Sequence, residues 1–259
     1  IGIIGVIGVP FFRRVYGFDW ATSWYAAMPG GLQDMVVFGA EAGGDVRALS
    51  LIHATRVLII VSIAPIILTQ GFGAPLTNPI GAPAASLPLF ELVIMTVAAL
   101  VGWKGGEKIG LFGASILGPM IVTGALSLAG VIHFRPPAEA ILAAQFFIGI
   151  GIGVGYVGVT LPEIRRDVMA GLIFVLILAA LATAFTEIVY HLGLASHMDA
   201  FLALAPGGQA EMTVLAIIVG ADLGYVIVHH LTRVLVVIAG APIAARLLRI
   251  KDRTKEVGS

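Results

Sequence analysis

The amino-acid sequence predicts an all-α integral membrane protein made of two repeats with inverted topology. Hydrophobic residues form 59% of the chain and charged residues only 12%, against about 25% charged residues in a typical soluble domain. Uncharged runs at 109–134, 140–162 and 168–186 are each about as long as the roughly 20 residues that a spanning helix needs. These runs do not alternate polar and apolar residues, which excludes the strands of a membrane barrel.

The second observation is an internal duplication. Residues 29–66 and 206–243 align without a gap at an offset of 177, and 15 of the 38 positions are identical. Such long-period similarity must be settled before any local prediction, because it sets the architecture. The matched pairs are Pro29/Pro206, Gly30/Gly207, Gly31/Gly208, Met35/Met212, Gly43/Gly220, Asp45/Asp222, His53/His230, Thr55/Thr232, Arg56/Arg233 and Pro65/Pro242, and Asp34 is replaced by Glu211.

The elements follow in chain order. Residues 1–12 predict the tail of a spanning helix, and a linker with four prolines and no charge occupies 69–88. We therefore divide the chain into the C-terminal part of repeat 1 at 1–68, the linker at 69–88, repeat 2 at 89–250 and a polar tail at 251–259. Repeat 2 begins near Pro88, so we expect the chain to lack the start of repeat 1. The remaining predicted segments are 22–42 and 198–220, which carry the Pro-Gly-Gly motifs, 46–68 and 224–249, which carry His and Arg, and helices at 89–103, 109–131, 138–158 and 168–190.

The positions of basic residues predict that the two His/Arg helices point in opposite directions. Arg47 lies at the start of the first helix, whereas Arg246, Arg249 and Lys251 lie at the end of the second, and Lys and Arg concentrate on the cytoplasmic side. Inverted repeats require each repeat to cross the membrane an odd number of times. This condition is met if each Pro-Gly-Gly segment is a re-entrant hairpin, which enters and leaves the membrane on the same side. Inverted repeats with interrupted helices are an architecture of secondary transporters.

The two Pro-Gly-Gly motifs predict helix starts that can bind an anion. Proline suits the first turn of a helix, and glycine lets other groups approach the backbone. The free N–H groups and the positive end of the helix dipole then attract negative charge. The alternative is a kink or the close packing of small residues. The candidate substrate-binding positions are Pro29, Gly30, Gly31, Pro206, Gly207 and Gly208.

Four carboxylates accompany these motifs. Asp45 and Asp222 precede a helix, so N-capping is the default interpretation. Asp34 and Glu211 lie in the first turn after the glycines, where the dipole stabilises a carboxylate. Binding of a coupling ion or a proton is the alternative role for these acids.

His53 with Arg56, and His230 with Arg233, share one helix face at a spacing of three residues. Each arginine is predicted near the middle of the membrane, where it costs about 2.5 to 3.5 kcal/mol. Two interpretations stay open: a structural ion pair with Asp34, Asp45 or their copies, and direct binding of substrate. All four side chains are candidate substrate-binding residues.

Several function classes find no support in the residues. The chain has no cysteine and no net charge, which removes thiolate chemistry and any electrostatic attraction to nucleic acid. The six histidines have no metal-ligand spacing, and GVGYVG at 153–158 lacks the strand that a dinucleotide-binding fingerprint requires. We expect no metal, no cofactor and no enzymatic activity.

PGGLQDM, GGD and HATRVL, repeated as PGGQAEM, GAD and HHLTRVL, together with LFGASILGPM, resemble the duplicated AbrB-type family of bacterial inner-membrane proteins. This family is distinct from the small DNA-binding regulators of the same name. The resemblance implies a multi-pass protein of the bacterial cytoplasmic membrane. Family labels include ammonia monooxygenase and regulation of gene expression. An oxygenase needs copper or iron ligands, which six scattered histidines do not supply.

From these features we expect a secondary transporter that moves a small anionic or amide-like solute through a midplane site. In this site the two Pro-Gly-Gly helix starts face Arg56 and Arg233. A membrane sensor that binds a ligand and affects gene expression is the alternative, and a metal-dependent monooxygenase ranks last. The expected partners are the lipid bilayer and the solute, and assembly with further copies of the chain stays open.

Overall fold

The computed structural model describes residues 1–111, 114–154 and 156–250, without the side chains of Ile116 and Ile152. The polar tail predicted at 251–259 lies outside the described residues. So do two positions of the LFGASILGPM segment, Phe112 and Gly113, and Gly155 of the glycine run.

The described part of the chain is all-helical and contains no strand. The helices are α1 Gly2–Pro10, α2 Trp20–Ala27, α3 Leu32–Glu41, α4 Val46–Ile66, α5 Leu89–Lys108, α6 Ala114–Leu128, α7 Ala138–Val154, α8 Leu161–His191, α9 His197–Leu204, α10 Gln209–Val219 and α11 Leu223–Leu247. A π-helical turn continues α1 at Phe11–Val15 and α4 at Ile67–Gly71, and a third such turn lies within α8 at Ile164–Val168.

Among the described residues, four helices are long and apolar enough to cross a membrane: α4 with its π-helical turn, α5, α8 and α11, of 26, 20, 31 and 25 residues. Two predicted spans are shorter than their uncharged runs suggested, since α6 has 15 residues and α7 has 17. Glycines in the left-handed conformation follow both helices, Gly130 at φ 68° and Gly158 at φ 69°. At 1.5 Å per residue, 17 residues cover about 26 Å, less than a hydrocarbon core of about 30 Å.

The chain forms two compact units. One contains residues 79–147, and the other contains 1–78 and the chain from Ile148 onward. In the smaller unit α5 and α6 approach at Gly102 and Gly118, where the backbones leave no room for a side chain. Glu91 is buried there and accepts hydrogen bonds from the backbone and ring of His133. The larger unit holds both Pro-Gly-Gly motifs and both His/Arg helices.

In the larger unit each Pro-Gly-Gly motif separates two short helices. We call residues 28–31, between α2 and α3, the first break, and residues 205–208, between α9 and α10, the second break. Asp19 caps α2 and Ser196, at the matched position, caps α9. Downstream, α3 and α10 are followed by the paired glycines Gly43 and Gly220, at φ 86° and 73°. Only glycine adopts this conformation without strain, so the duplication extends to the backbone geometry of both segments.

The two matched segments exchange packing partners. The second half of α4 contributes Ile60, Ala64 and Leu68 to a core cluster with α9 and α10. The second half of α11 contributes the matched residues Val237, Ala241 and Ala245 to a cluster with α1, α2 and α3. Each His/Arg helix therefore binds its own broken helix with its first half and the other broken helix with its second half.

Candidate functional site

The two breaks are short extended segments between helix ends. Met28 and Gly31 have ψ angles of 129° and 146°, and Ala205 and Gly208 have ψ angles of 139° and 152°. A helix that stops leaves its last carbonyl groups, and the first N–H groups of the next helix, without helical partners. Each break thus presents free acceptors from one helix and free donors from the following one.

The glycines of the breaks do not have positive φ angles, so close contacts, and not backbone conformation, distinguish these positions. A Cβ on Gly30 would lie 2.7 Å from Cε of Met35, and a Cβ on Gly207 would lie 2.7 Å from Cε of Met212. Both methionines are fully buried. Each methionine of the matched pairs therefore packs directly on the backbone of its break.

His53 and Arg56 bind carbonyl groups at the first break. Nε2 of His53 lies 3.1 Å from the carbonyl oxygen of Tyr25, and Nη2 of Arg56 donates to the carbonyl oxygen of Gly30 at 2.7 Å. Both side chains are buried. A carbonyl only accepts, so Nε2 of His53 carries the proton and Nδ1 is left as an acceptor.

His230 and Arg233 make the matched contacts at the second break. Nε2 of His230 lies 2.9 Å from the carbonyl oxygen of Leu202. Arg233 donates from Nη2 to Gly207 at 2.6 Å and from Nη1 to Ala205 at 2.9 Å. The four side chains thus bind carbonyl groups that have no helical partner because the helices are interrupted at the two breaks.

No structural ion pair is observed for either arginine. Neither Arg56 nor Arg233 has a carboxylate within salt-bridge distance among the described residues. Arg56 does interact through space with Arg233, which repels it, and with Glu211, which attracts it. The charges of Arg233 and Glu211 thus both act on Arg56, without a salt bridge between Arg56 and Glu211 among the described residues.

Four buried nitrogen atoms of this group have no hydrogen-bond partner among the described residues: Nε of Arg56 and Arg233, and Nδ1 of His53 and His230. A buried polar atom without a partner costs about 1 to 3 kcal/mol. The arginine Nε atoms donate and, by the argument above, the histidine Nδ1 atoms accept. The site thus offers two unused donors and two unused acceptors.

The four candidate carboxylates divide into two kinds. Asp45 caps α4 by accepting from the backbone of Arg47 and Ala48, and Asp222 caps α11 by accepting from Tyr225. Asp34 and Glu211 are half-buried and fold back over the breaks, so that a Cβ on Gly31 would lie 2.5 Å from Oδ2 of Asp34 and one on Gly208 would overlap Glu211. Only the second pair is part of the site at the breaks.

One cavity of about 420 Å³ connects both breaks. Pro29 of the first break and Pro206 of the second line it together with Arg233. Its other polar side chains are His229 and Thr232, and most of the remaining wall is apolar and comes from α1, α8, α9 and α11. Arg56 and His53 do not line this cavity.

The matched threonines differ in surroundings. The hydroxyl of Thr55 lies 2.7 Å from the hydroxyl of Tyr156, and Gly171 of α8 packs so closely that its Cβ would lie 3.1 Å from Thr55. Thr232 instead borders the cavity. The cavity therefore lies on the face of α11 that corresponds to the covered face of α4.

Sequence reasoning missed several residues of the site. The carbonyls of Tyr25, Leu202 and Ala205 have no sequence signal, because every residue carries one. Thr22 and Asp199 also occupy matched positions: each accepts the backbone N–H of the capping aspartate, Asp45 at 2.7 Å and Asp222 at 2.8 Å. The offset of 177 could have paired these two positions, although they lie outside the segment of high identity.

Comparisons with known proteins agree with the resemblance of the motifs. Residues 1–249 match the AbrB family, described as "Transition state regulatory protein AbrB". The chain is 26% identical over 245 residues to "Uncharacterized protein YhjN" of Bacillus subtilis, covering 89% of this chain and 64% of that protein. It is 24% identical over 231 residues to "Putative regulator AbrB" of Escherichia coli, covering 88% and 66%. No solved structure matches the chain at a significant level.

The chain thus spans about two thirds of the length of these curated relatives. The match covers both breaks, both His/Arg helices and all four candidate spans. These helices are absent from a small DNA-binding domain. The protein belongs to the AbrB family of helical membrane proteins.

Proposed function

We propose that the protein is a secondary transporter that moves a small solute with an anionic group and an apolar body through the cavity between the two breaks. One observation carries this proposal: Pro29, Pro206 and Arg233, from three separate elements, line one cavity of about 420 Å³. A volume of this size is typical of small-molecule sites.

The charges around the cavity favour an anion. The N-terminal ends of α3 and α10 begin at the breaks, and helix N-termini attract negative charge. Arg56 and Arg233 repel each other across the site, with Glu211 as the carboxylate that interacts with Arg56. An anion bound at Arg233 would relieve this repulsion, and the Nε atom of Arg233, whose side chain lines the cavity, is an unused donor for it. The apolar wall suits a solute with a hydrocarbon body.

The arrangement of the halves supports an inverted repeat with re-entrant breaks. Arg166 of α8 lies 3.8 Å from Asp45 at the start of α4 and stacks over Phe18. Trp20 lies two residues after Phe18 in the chain and lines a groove. Leu248 and Ile250, which directly follow the end of α11, line the same groove. The start of α4 and the end of α11 are thus connected at one end of the larger unit. Antiparallel His/Arg helices require this arrangement, and broken helices that meet at such a repeat interface are the usual transporter site.

A ligand sensor is the second candidate. The name of the Escherichia coli relative and the description of the family both refer to regulation. The same cavity would serve a sensor, since binding an anion does not require that the anion cross the membrane. A transporter moves the bound solute across the membrane and a sensor does not, but both functions would use the same site.

The test uses pairs of small carboxylates and their amides as probes: propionate and propionamide, lactate and lactamide, benzoate and benzamide. Thermal unfolding of the purified protein in detergent identifies binding, and labelled forms of the stabilising probes are then followed into proteoliposomes. We expect a carboxylate to stabilise the protein more than its amide and to accumulate inside. Binding without uptake would favour the sensor and contradict transport of that probe.

The matched control pair is Arg233→Lys and Arg246→Lys. Both positions lie on α11, but Arg233 lines the cavity and Arg246 is exposed. A lysine cannot reproduce the planar fork that binds two carbonyls and an anion. We expect Arg233→Lys to remove stabilisation by the carboxylate and Arg246→Lys to keep it. Equal stabilisation of both variants would refute the site.

A further inference from the structure

A second cavity, of about 480 Å³, lies in the larger unit between α1, α2 and α11. We call it the α1–α11 groove and define it by Gly2, Gly5, Trp20, Trp24, Gly240 and Ala244. All the residues that line it are apolar, and α11 is one of the four candidate spans. The groove therefore lies along a candidate membrane span, and its wall is almost entirely apolar.

The groove is open because small residues stand at matched positions. Gly240 and Ala244 of α11 correspond, at the offset of 177, to Ile63 and Ile67 of α4. Trp24 corresponds to Phe201, whose ring lies 5.5 Å from the ring of Phe72. At two of these three positions, 63 and 67, the other half thus carries larger side chains than Gly240 and Ala244. A Cβ on Gly2 or on Gly240 would have no neighbour within 4 Å, so the space is not needed for helix packing.

One end of the groove carries positive charge. The guanidinium of Arg13 lies 4.6 Å from the ring centre of Trp20 and donates to the carbonyl of Phe18. Arg13 has no salt bridge to a carboxylate within the described part of the chain.

We propose that the α1–α11 groove binds one anionic phospholipid, with an acyl chain against Gly240 and Ala244 and the phosphate at Arg13. The apolar groove matches a hydrocarbon chain, and Arg13 beside Trp20 matches a negative headgroup. A basic side chain near a membrane surface favours an anionic lipid by about fivefold. Ile1 borders both this groove and the cavity between the breaks, but Arg233 and both proline residues of the breaks lie outside the groove.

The tryptophans provide a direct test. The chain has three, and Trp103→Phe leaves Trp20 and Trp24, both of which line the groove. Bromine atoms on an acyl chain quench tryptophan fluorescence on contact. The reporter protein is placed in vesicles of unlabelled phosphatidylcholine with increasing fractions of dibrominated phosphatidylglycerol or dibrominated phosphatidylcholine. We expect phosphatidylglycerol to quench at a mole fraction about fivefold lower.

Two filling variants, Gly240→Ile and Ala244→Ile, introduce the residues that α4 carries at the matched positions. Each should reduce quenching by the brominated phosphatidylglycerol to the level of the phosphatidylcholine. Arg13→Gln should remove the preference for the anionic lipid, whereas its exposed neighbour Arg14→Gln should keep it. An excess of inorganic phosphate should leave quenching unchanged if a lipid, and not a free anion, is bound.

Equal quenching by the two lipids, or a preference that survives both filling variants, would overturn the proposal. Protection of the tryptophans from both lipids would indicate that a second copy of the chain covers the groove, and would also overturn it. Circular dichroism of each variant verifies that the helices are intact. Solute binding in the other cavity is measured independently, so either proposal can fail alone.

Discussion

At the scale of single residues, the buried cations stabilise a helix break by binding backbone carbonyls. Arg56 and Arg233 each donate to a glycine carbonyl of their break, at 2.7 and 2.6 Å. Charged hydrogen bonds of this kind contribute about 1.5 to 3 kcal/mol each. This explains how both arginines lie in apolar helices without a salt bridge among the described residues, and their Nε atoms keep no hydrogen-bond partner there.

His53→Leu tests the contribution of the histidine bond. The substitution leaves the carbonyl of Tyr25 buried without a donor, and we expect a loss of about 1 to 3 kcal/mol in the free energy of unfolding. His53→Gln retains an N–H donor and should recover part of that loss. The measurement is thermal unfolding in detergent, with His230→Leu and His230→Gln as the matched pair. Equal stability of the Leu and Gln variants would contradict a role for the bond.

A double-mutant cycle tests for an ion pair between Arg56 and Asp34. No salt bridge joins them among the described residues. We therefore expect the effects of Arg56→Lys and Asp34→Asn on stability to add, within about 0.5 kcal/mol. If the double mutant recovers stability, the two side chains are structural partners and the binding role of Arg56 fails. The cycle is repeated with the stabilising carboxylate to separate stability from binding.

At the scale of elements, small residues set how closely helices approach. A Cβ on Gly102 of α5 would overlap the carbonyl of Gly118 and lie 2.7 Å from Cα of Pro119. Backbone atoms cannot turn aside as a side chain can. Small residues at such contacts are a common means of helix packing in membranes.

Gly102→Ala should therefore destabilise the pair of helices, by about 1 to 3 kcal/mol for overpacking. Gly105→Ala is the control on the same helix, because a Cβ there has no neighbour within 4 Å. We expect the control to be neutral or slightly stabilising, since alanine favours a helix by up to about 1 kcal/mol over glycine. Melting temperatures in detergent compare the two. Equal melting temperatures of the two variants would show that α5 and α6 have room for a side chain at Gly102, and would contradict their close approach there.

At the scale of the whole molecule, each His/Arg helix packs against both broken helices. The Cγ2 atom of Ile60 in α4 would lie 2.9 Å from a Cβ on Gly207 of the second break, and Trp24 of α2 donates to the carbonyl of Ala241 in α11 at 3.2 Å. A movement of one half must therefore repack contacts in the other. In the proposed transporter, rocking of one repeat against the other around the site would have to change these contacts.

The proposed inverted repeat makes a testable topological prediction. The chain has no cysteine, so single cysteines at Gly44 and Ala221 can be labelled without background. These positions immediately precede the caps of α4 and α11, and we expect a membrane-impermeant reagent to reach them from opposite faces of sealed vesicles. A cysteine at Arg14 serves as the reference for the cytoplasmic face. Labelling of both test sites from one face would refute the inverted repeat and the re-entrant breaks.

The sequence alone predicts the class of protein, most helix positions and the paired motifs. Composition and the length of uncharged runs are local properties, and a spanning segment in an apolar membrane must satisfy its own backbone hydrogen bonds as a helix. The duplication is visible because the pairs from Pro29/Pro206 to Pro65/Pro242 retain their spacing. The sequence prediction missed the short lengths of α6 and α7, which end at Leu128 and Val154, inside uncharged runs.

Only the tertiary structure decided what the motif residues contact. A buried arginine needs acceptors, but the sequence does not say whether they are carboxylates or the carbonyls freed at a break. The exchange of Ile60 and Val237 between the two clusters, and the cavity that joins Pro29 to Pro206, depend on packing between segments far apart in the chain. Local propensity specifies where each helix begins and ends, whereas long-range packing determines which helix ends meet and form a site.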